Sequence, residues 1–185
     1  MSSRPGALGG FWKHGYEATS LDALVVATGI NVSSLYAAYG SKRGLFQAAL
    51  VRYEHHVGSA LEALAAGSCG LDDVVRFVEW VRSGVSSDVQ PMGCLLVNTM
   101  VEFATQDQEI AEVTQRHRER VRRSLEAAIT RAERSGEIEP HTGSTRAALA
   151  QAAMFGALVT ARSGAIVDAD RMLCGLVAEV RRWRS

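Results

Sequence analysis

Cysteine and histidine could carry covalent or metal chemistry in this chain of 185 residues, and spacing decides each case. Cys69, Cys94 and Cys174 are odd in number and far apart, a pattern that suits reduced thiols and no disulfide framework. Cys94 precedes the apolar run "CLLVNTMVEFA" with no histidine or lysine cluster beside it to lower its pKa. It therefore reads as a small buried hydrophobe, the alternative being an oxidation sensor. His55 and His56 are adjacent, so on a helix they point about 100° apart and cannot form the face that an i, i+4 pair offers a metal. His14, His117 and His141 are scattered. Neither a nucleotide-binding glycine fingerprint nor a nucleophile elbow occurs. The expectation is a protein with no catalytic residues, metal or cofactor. One polar cluster is left, "GINVSSLYAAYGSKRGLF" at residues 29–46: a glycine turn, a short helix with a tyrosine and two alanines, and a lysine opening a further helix.

The elements that would place this cluster follow from caps and breakers. Ala7–His14 suggests a helix shortened by Pro5, Gly6, Gly9 and Gly10. Thr19, three residues before Asp22, predicts a capped helix with Leu21, Leu24 and Val25 that stops at Gly29. Asn31 is a good cap for a helix over about Val32–Tyr39, with Leu35 and Tyr39 on its inner face. Gly40 breaks it, and Ser41 caps a fourth helix that continues past Gly58 toward Ala65. Beyond the "AGSCG" break, helical spacing recurs over 71–83, over the run opened by Pro91 as a first-turn proline, and over 107–135. It recurs again over about Ser144–Arg162 and Asp168–Trp183, two antiparallel neighbours. The chain is 47% hydrophobic and 22% charged with only 3 prolines, ordinary for a globular protein and favourable to an all-α fold. No apolar run is long enough to cross a membrane and no signal peptide is present, which with the thiols predicts a cytoplasmic protein. Net charge is zero, so any nucleic-acid binding must be local. Residues 1–58 lean to +2, with five basic and three acidic side chains.

Two short helices joined by a tight glycine turn have the layout of a helix-turn-helix whose second helix enters the major groove, although geometry alone also fits plain packing. The residue strings narrow the choice. "GYEATSLDAL", "TGINVSSLYAAYGSKRGLF" and, later, "PMGCLLVNTMVEFA" resemble the TetR family of bacterial transcriptional repressors. That resemblance implies a three-helix DNA-binding head over 1–48 and a helical ligand-binding and dimerisation body over 49–185. It also implies roles. Thr19 and Ser20 match the cap where hydroxyls and backbone N–H groups meet a phosphate. Asn31, Val32, Ser33 and Ser34, with Ala37 and Ala38, match the groove-facing part of the recognition helix. Tyr36 matches a tyrosine that reaches the DNA backbone, and Lys42 a lysine that contacts another phosphate. Three departures from the family pattern stand out: a short first helix, which implies lower affinity or head stability; Val25 where alanine is usual; and a recognition helix with few hydrogen-bonding groups. Base readout would then rest on methyl contacts with thymine and on Asn31, Ser33 and Ser34.

In the body, Phe77, Trp80, Met92, Leu96, Met100 and Phe103, with Met154, Phe155 and Val159, are apolar and mostly core. A cavity between helices is nevertheless a usual ligand site, and Asn98 and Thr160 are the polar candidates within it. The resemblance implies a small-molecule ligand there, expected to be mostly apolar, and a dimer built by the last two helices. Leu149, Ala152, Ala153, Phe155, Gly156 and Val159 would supply one helix of that interface, and Leu173, Leu176, Val177 and Val180 the other. The expected protein is a ligand-responsive homodimeric repressor of a palindromic operator in double-stranded DNA. The alternative is a helical small-molecule sensor or protein-docking dimer with degenerate DNA binding.

Overall fold

The computed structural model describes residues 6–86, 92–103 and 107–184, and these form helices with no strand among them. In chain order they are α1 (Ala7–His14), α2 (Leu21–Thr28), α3 (Val32–Tyr39), α4 (Lys42–Ala66) and α5 (Leu71–Val85). They continue with α6 (Leu95–Phe103), α7 (Gln108–Arg134), α8 (Gly143–Arg162) and α9 (Ile166–Arg182). The all-α expectation holds, with small shifts at helix ends. Pro91, expected in the first turn of the sixth helix, lies outside the described residues.

The chain forms two compact units, each from two stretches. The first joins residues up to 56 with 94–114, so the head carries α6 and the opening of α7 as well as α1–α3 and most of α4. The second joins 57–93 with 115–185.

In the first unit, α1 is short and has no side-chain cap, yet it is well anchored. Phe11 is fully buried, its ring 5.0 Å from that of Phe46 and 6.2 Å from that of Tyr16, while Trp12 meets Tyr53 edge-on at 4.9 Å. Such aromatic pairs contribute beyond the area they bury. Phe103 of α6 completes the cluster, 5.4 Å from Tyr16 and 5.7 Å from Phe46. Leu24 and Leu35 bring α2 and α3 onto the same core. Tyr39, expected to be inward with Leu35, is instead 42% exposed, because Gly40 ends α3 at that point and its last turn projects from the core. At Gly44 a Cβ would collide with the Tyr39 carbonyl, so the tight α3–α4 turn requires glycine there.

In the second unit, α8 and α9 pair along their length and α5 packs on α9. The buried residues of α8 include the small Ala147, Ala150, Ala157 and Ala161. Asp73, in the first turn of α5, is buried and accepts from Cys69 N at 2.8 Å and from Arg131 Nη2 at 3.2 Å, and pairs with Arg76. Arg131 also donates to the Leu64 and Ala65 carbonyls at 2.6 Å each, satisfying the open C-terminal end of α4. His117 of α7 is buried with its ring parallel to Phe155 at 6.5 Å. Burial, aided by the Arg120 charge, holds its pKa down to about 4.

Candidate nucleic-acid interface

Helices α2 and α3 meet at 93°, joined by Gly29, whose φ of 72° lies in the left-handed region that glycine occupies without strain. Asn31 Oδ1 accepts from Ser34 N at 2.8 Å, capping α3 as expected. That bond leaves the amide nitrogen of the exposed Asn31 side chain as a donor. Asn31, Ser33, Ser34, Tyr36, Ala37 and Ala38 are all exposed and Val32 is half-buried, whereas Leu35 is buried. The helix thus presents an outer face of short side chains and two exposed phenols, Tyr36 and Tyr39.

The cap of α2 differs from expectation. Ser20 is the N-cap, its Oγ accepting from Ala23 N at 3.1 Å, and it is exposed. Thr19 is fully buried and its hydroxyl donates to the Gly15 and Gly10 carbonyls. Its side chain therefore ties down the α1–α2 turn and is shielded from any phosphate, which corrects its assignment as a contact.

Lys42 opens α4 with its ammonium 4.5 Å from the centre of the Tyr16 ring and Nζ donating to the Glu17 carbonyl at 3.3 Å. A cation held over an aromatic face keeps its charge while losing rotamer freedom. Next to it, Arg43 forms a fork with Asp107, Nε to Oδ2 and Nη2 to Oδ1 both at 3.0 Å, and Nη2 also reaches Glu109 at 2.8 Å. Asp107 in turn accepts from Ile110 N at 3.2 Å, and this bond, with Arg43, holds its carboxyl below the usual range. Sequence reasoning missed this arrangement. It also missed Glu102, whose carboxylate accepts from the Tyr16 and Glu17 backbone N–H groups at 2.9 and 3.0 Å.

The remaining sequence-derived residues fall as follows. Leu96, Asn98, Met100 and Phe103 of the ligand set belong to the first unit, where Phe103 is committed to the aromatic core. Phe77, Trp80, Met92, Met154, Phe155, Val159 and Thr160 belong to the second. There Trp80 stacks on Phe77 at 5.8 Å, and the Thr160 hydroxyl donates to the Gly156 carbonyl at 2.9 Å. Of the expected dimer residues, Leu149 and Val159 are 60% and 43% exposed, Ala152 is exposed, and Ala153, Phe155 and Gly156 are half-buried. Leu173, Leu176, Val177 and Val180 are buried within the chain, on the side of α9 taken by α5 and α8. They form the inner stripe of α9 and are corrected to core; Met172, 40% exposed, lies on the outer side instead. A Cβ built on Gly156 would come 3.3 Å from Met172 Cε, so the outer surfaces of α8 and α9 meet there.

Comparison with known proteins bears on both halves. Residues 6–49 match the family model described as bacterial regulatory proteins, tetR family, and residues 70–170 match a tetracyclin repressor-like C-terminal domain. The chain is 30% identical over 176 residues to the HTH-type transcriptional repressor ComR of Escherichia coli, covering 94% of this chain and 83% of ComR. It is 28% identical over 131 residues to an uncharacterized HTH-type regulator, YezE, of Bacillus subtilis, covering 69% of this chain and 66% of that one. Among solved structures, a cysteine-substituted TetR family regulator CifR, complexed with 26-base-pair double-strand operator DNA, superposes with a TM-score of 0.82 at 27% identity. That match covers 99% of this chain and 95% of CifR.

Proposed function

The chain belongs to the TetR family of bacterial transcriptional regulators, and from that premise we propose that it represses transcription as a homodimer on a palindromic operator, released by a small apolar ligand. The observation that carries the reading is the pair of helices α2 and α3 at 93° with an exposed, capped outer face. The operator complex of the similar CifR and the repressor role of ComR support it. In this reading the Ser20 hydroxyl, Tyr36 and Lys42 hold phosphates, while Asn31, Val32, Ser33, Ser34, Ala37 and Ala38 face the bases. Phosphate contacts set affinity and register, and base contacts set specificity. No catalytic role is assigned to any residue, and a cytoplasmic setting follows from the DNA target.

Selection of bound duplexes from a random pool tests this directly. Lys42→Ala should weaken binding to all sequences alike and reduce the salt slope by about one unit per head. Exchanging Ala37 for Asn or Arg should instead change the preferred base at one position of each half-site, with discrimination of about 1–3 kcal/mol. If the wild type selects no sequence, a sensor with degenerate DNA binding becomes the better account.

The dimer is assigned to the outer face of α8 and α9, where Leu149, Ala152, Gly156, Val159 and Met172 would otherwise expose apolar surface. A double substitution, Leu149→Glu with Val159→Glu, should give the monomer mass in sedimentation without changing helical content. An unchanged dimer would remove this face from consideration. Leu176→Glu is unsuitable because it places a charge in the core of the second unit.

A further inference from the structure

Gly15 ends α1 with φ 81°, and the turn it opens aims the N–H groups of Tyr16 and Glu17 at one carboxylate. Glu102 Oε1 accepts from Tyr16 N at 2.9 Å and from Glu17 N at 3.0 Å, and Oε2 lies 3.2 Å from Tyr16 N. A Cβ at Gly15 would come 2.9 Å from Oε2, so this position needs glycine for both backbone and space. The two residues that Glu102 grips are those that hold Lys42: the Tyr16 ring under its ammonium and the Glu17 carbonyl that accepts from Nζ. The neighbouring Phe103 packs against Tyr16 and Phe46. Arg43, next to Lys42, is forked by Asp107. Glu102 and Asp107 therefore act on either side of Lys42, the turn being fixed by Glu102 and the start of α4 by Asp107.

We propose that Glu102 is a positioning residue for DNA binding, which fixes the Tyr16–Glu17 turn and through it the place of the Lys42 ammonium. This rests on the reading that Lys42 holds a phosphate. A carboxylate that accepts two backbone N–H bonds makes charge-assisted contacts stronger than neutral ones. The turn it holds cannot drift without moving the cradle of Lys42. Glu102 touches no DNA itself. Its removal lowers affinity without altering the preferred sequence, because the recognition helix is untouched.

The test uses the full chain as wild type, Glu102→Ala, Glu102→Gln, Lys42→Ala and the double variant Glu102→Ala with Lys42→Ala. On the duplex chosen by the wild type, Glu102→Ala should lower affinity about tenfold, and Glu102→Gln, which keeps one acceptor, should recover most of it. In the Lys42→Ala background the same change should have little further effect, since the group it positions is gone. Two further readouts need no DNA: the acylation rate of Lys42 and the exchange of the Tyr16 and Glu17 amides. Both should rise at least about threefold in Glu102→Ala and stay near wild type in Glu102→Gln. Fully additive affinity losses, or unchanged Lys42 acylation with faster amide exchange, would reduce Glu102 to a turn cap and overturn the proposal. If the wild type selects no duplex, the repressor reading fails, and Lys42 acylation alone then decides for or against the positioning role. Should Glu102→Ala fail to fold, Glu102→Asp, whose shorter side chain draws the carboxylate back from the two amides, takes its place: Lys42 acylation rising together with amide exchange supports the proposal, and a wild-type acylation rate with weakened amide protection overturns it.

Discussion

Asp73→Ala should destabilise the protein by about 3 kcal/mol, at the lower end of the cost of breaking a buried ion pair. Asp73 is only 4% exposed and receives three donors, from Cys69 N, Arg76 and Arg131. Removing it strands the Arg131 guanidinium against the Leu64 and Ala65 carbonyls without a counter-charge and releases the turn before α5. The lower end of the range applies because the Arg131 side chain keeps 24% of its exposure and some solvent screening. Urea unfolding at neutral pH measures the loss. Asp73→Asn, which still accepts from Cys69 N, should lose less, and a loss below about 1 kcal/mol in the alanine variant would mean that the arginines re-pair with other carboxylates.

The second large effect is a dependence of stability on pH. Burial holds the folded pKa of His117 near 4, below the ordinary 6.5, so as pH falls the unfolded chain takes up this proton first. The contribution of the neutral imidazole is full above pH 6.5 and is lost as pH drops from there toward 4. Between pH 7.5 and 4.5 the wild type should lose roughly 2–3 kcal/mol more than His117→Gln. Carboxylates titrate in both proteins, so the difference isolates the histidine. Parallel curves would show that the ring meets water or swings away from Phe155 when it protonates.

Legibility in the sequence followed range. Asn31, Gly29 and Gly40 act within a few residues, so the α2–α3 pair and its outer face could be drawn from local caps and breakers alone. Thr19 and Ser20 carry equivalent hydroxyls side by side, and only the burial of Thr19 against Gly10 and Gly15 decides which of them faces out. The apolar stripe Leu173, Leu176, Val177 and Val180 was visible, but periodicity does not say whether a neighbour in the same chain or a second chain covers it; here α5 and α8 do. Glu102 leaves no local trace, because its partners lie 85 and 86 residues away, and the burial of Asp73 depends on Arg131, 58 residues on; a lone acid in a helix looks like solvated surface. Phe103 looked like a lining residue for the same reason, its ring partners being Tyr16 and Phe46.

The first unit's two-part construction also bears on synthesis. Residues 1–56 leave the ribosome without Glu102, Phe103 and Asp107, and at bacterial-type rates of about 5–20 residues per second the stretch to residue 114 follows roughly 3–12 seconds later. For that interval Tyr16 and Phe46 lack a ring that completes their core, and the turn amides lack their acceptor. A nascent head thus lacks these partners until α6 emerges. A fragment cut at residue 56 inherits the same deficit and should sample its native form only transiently.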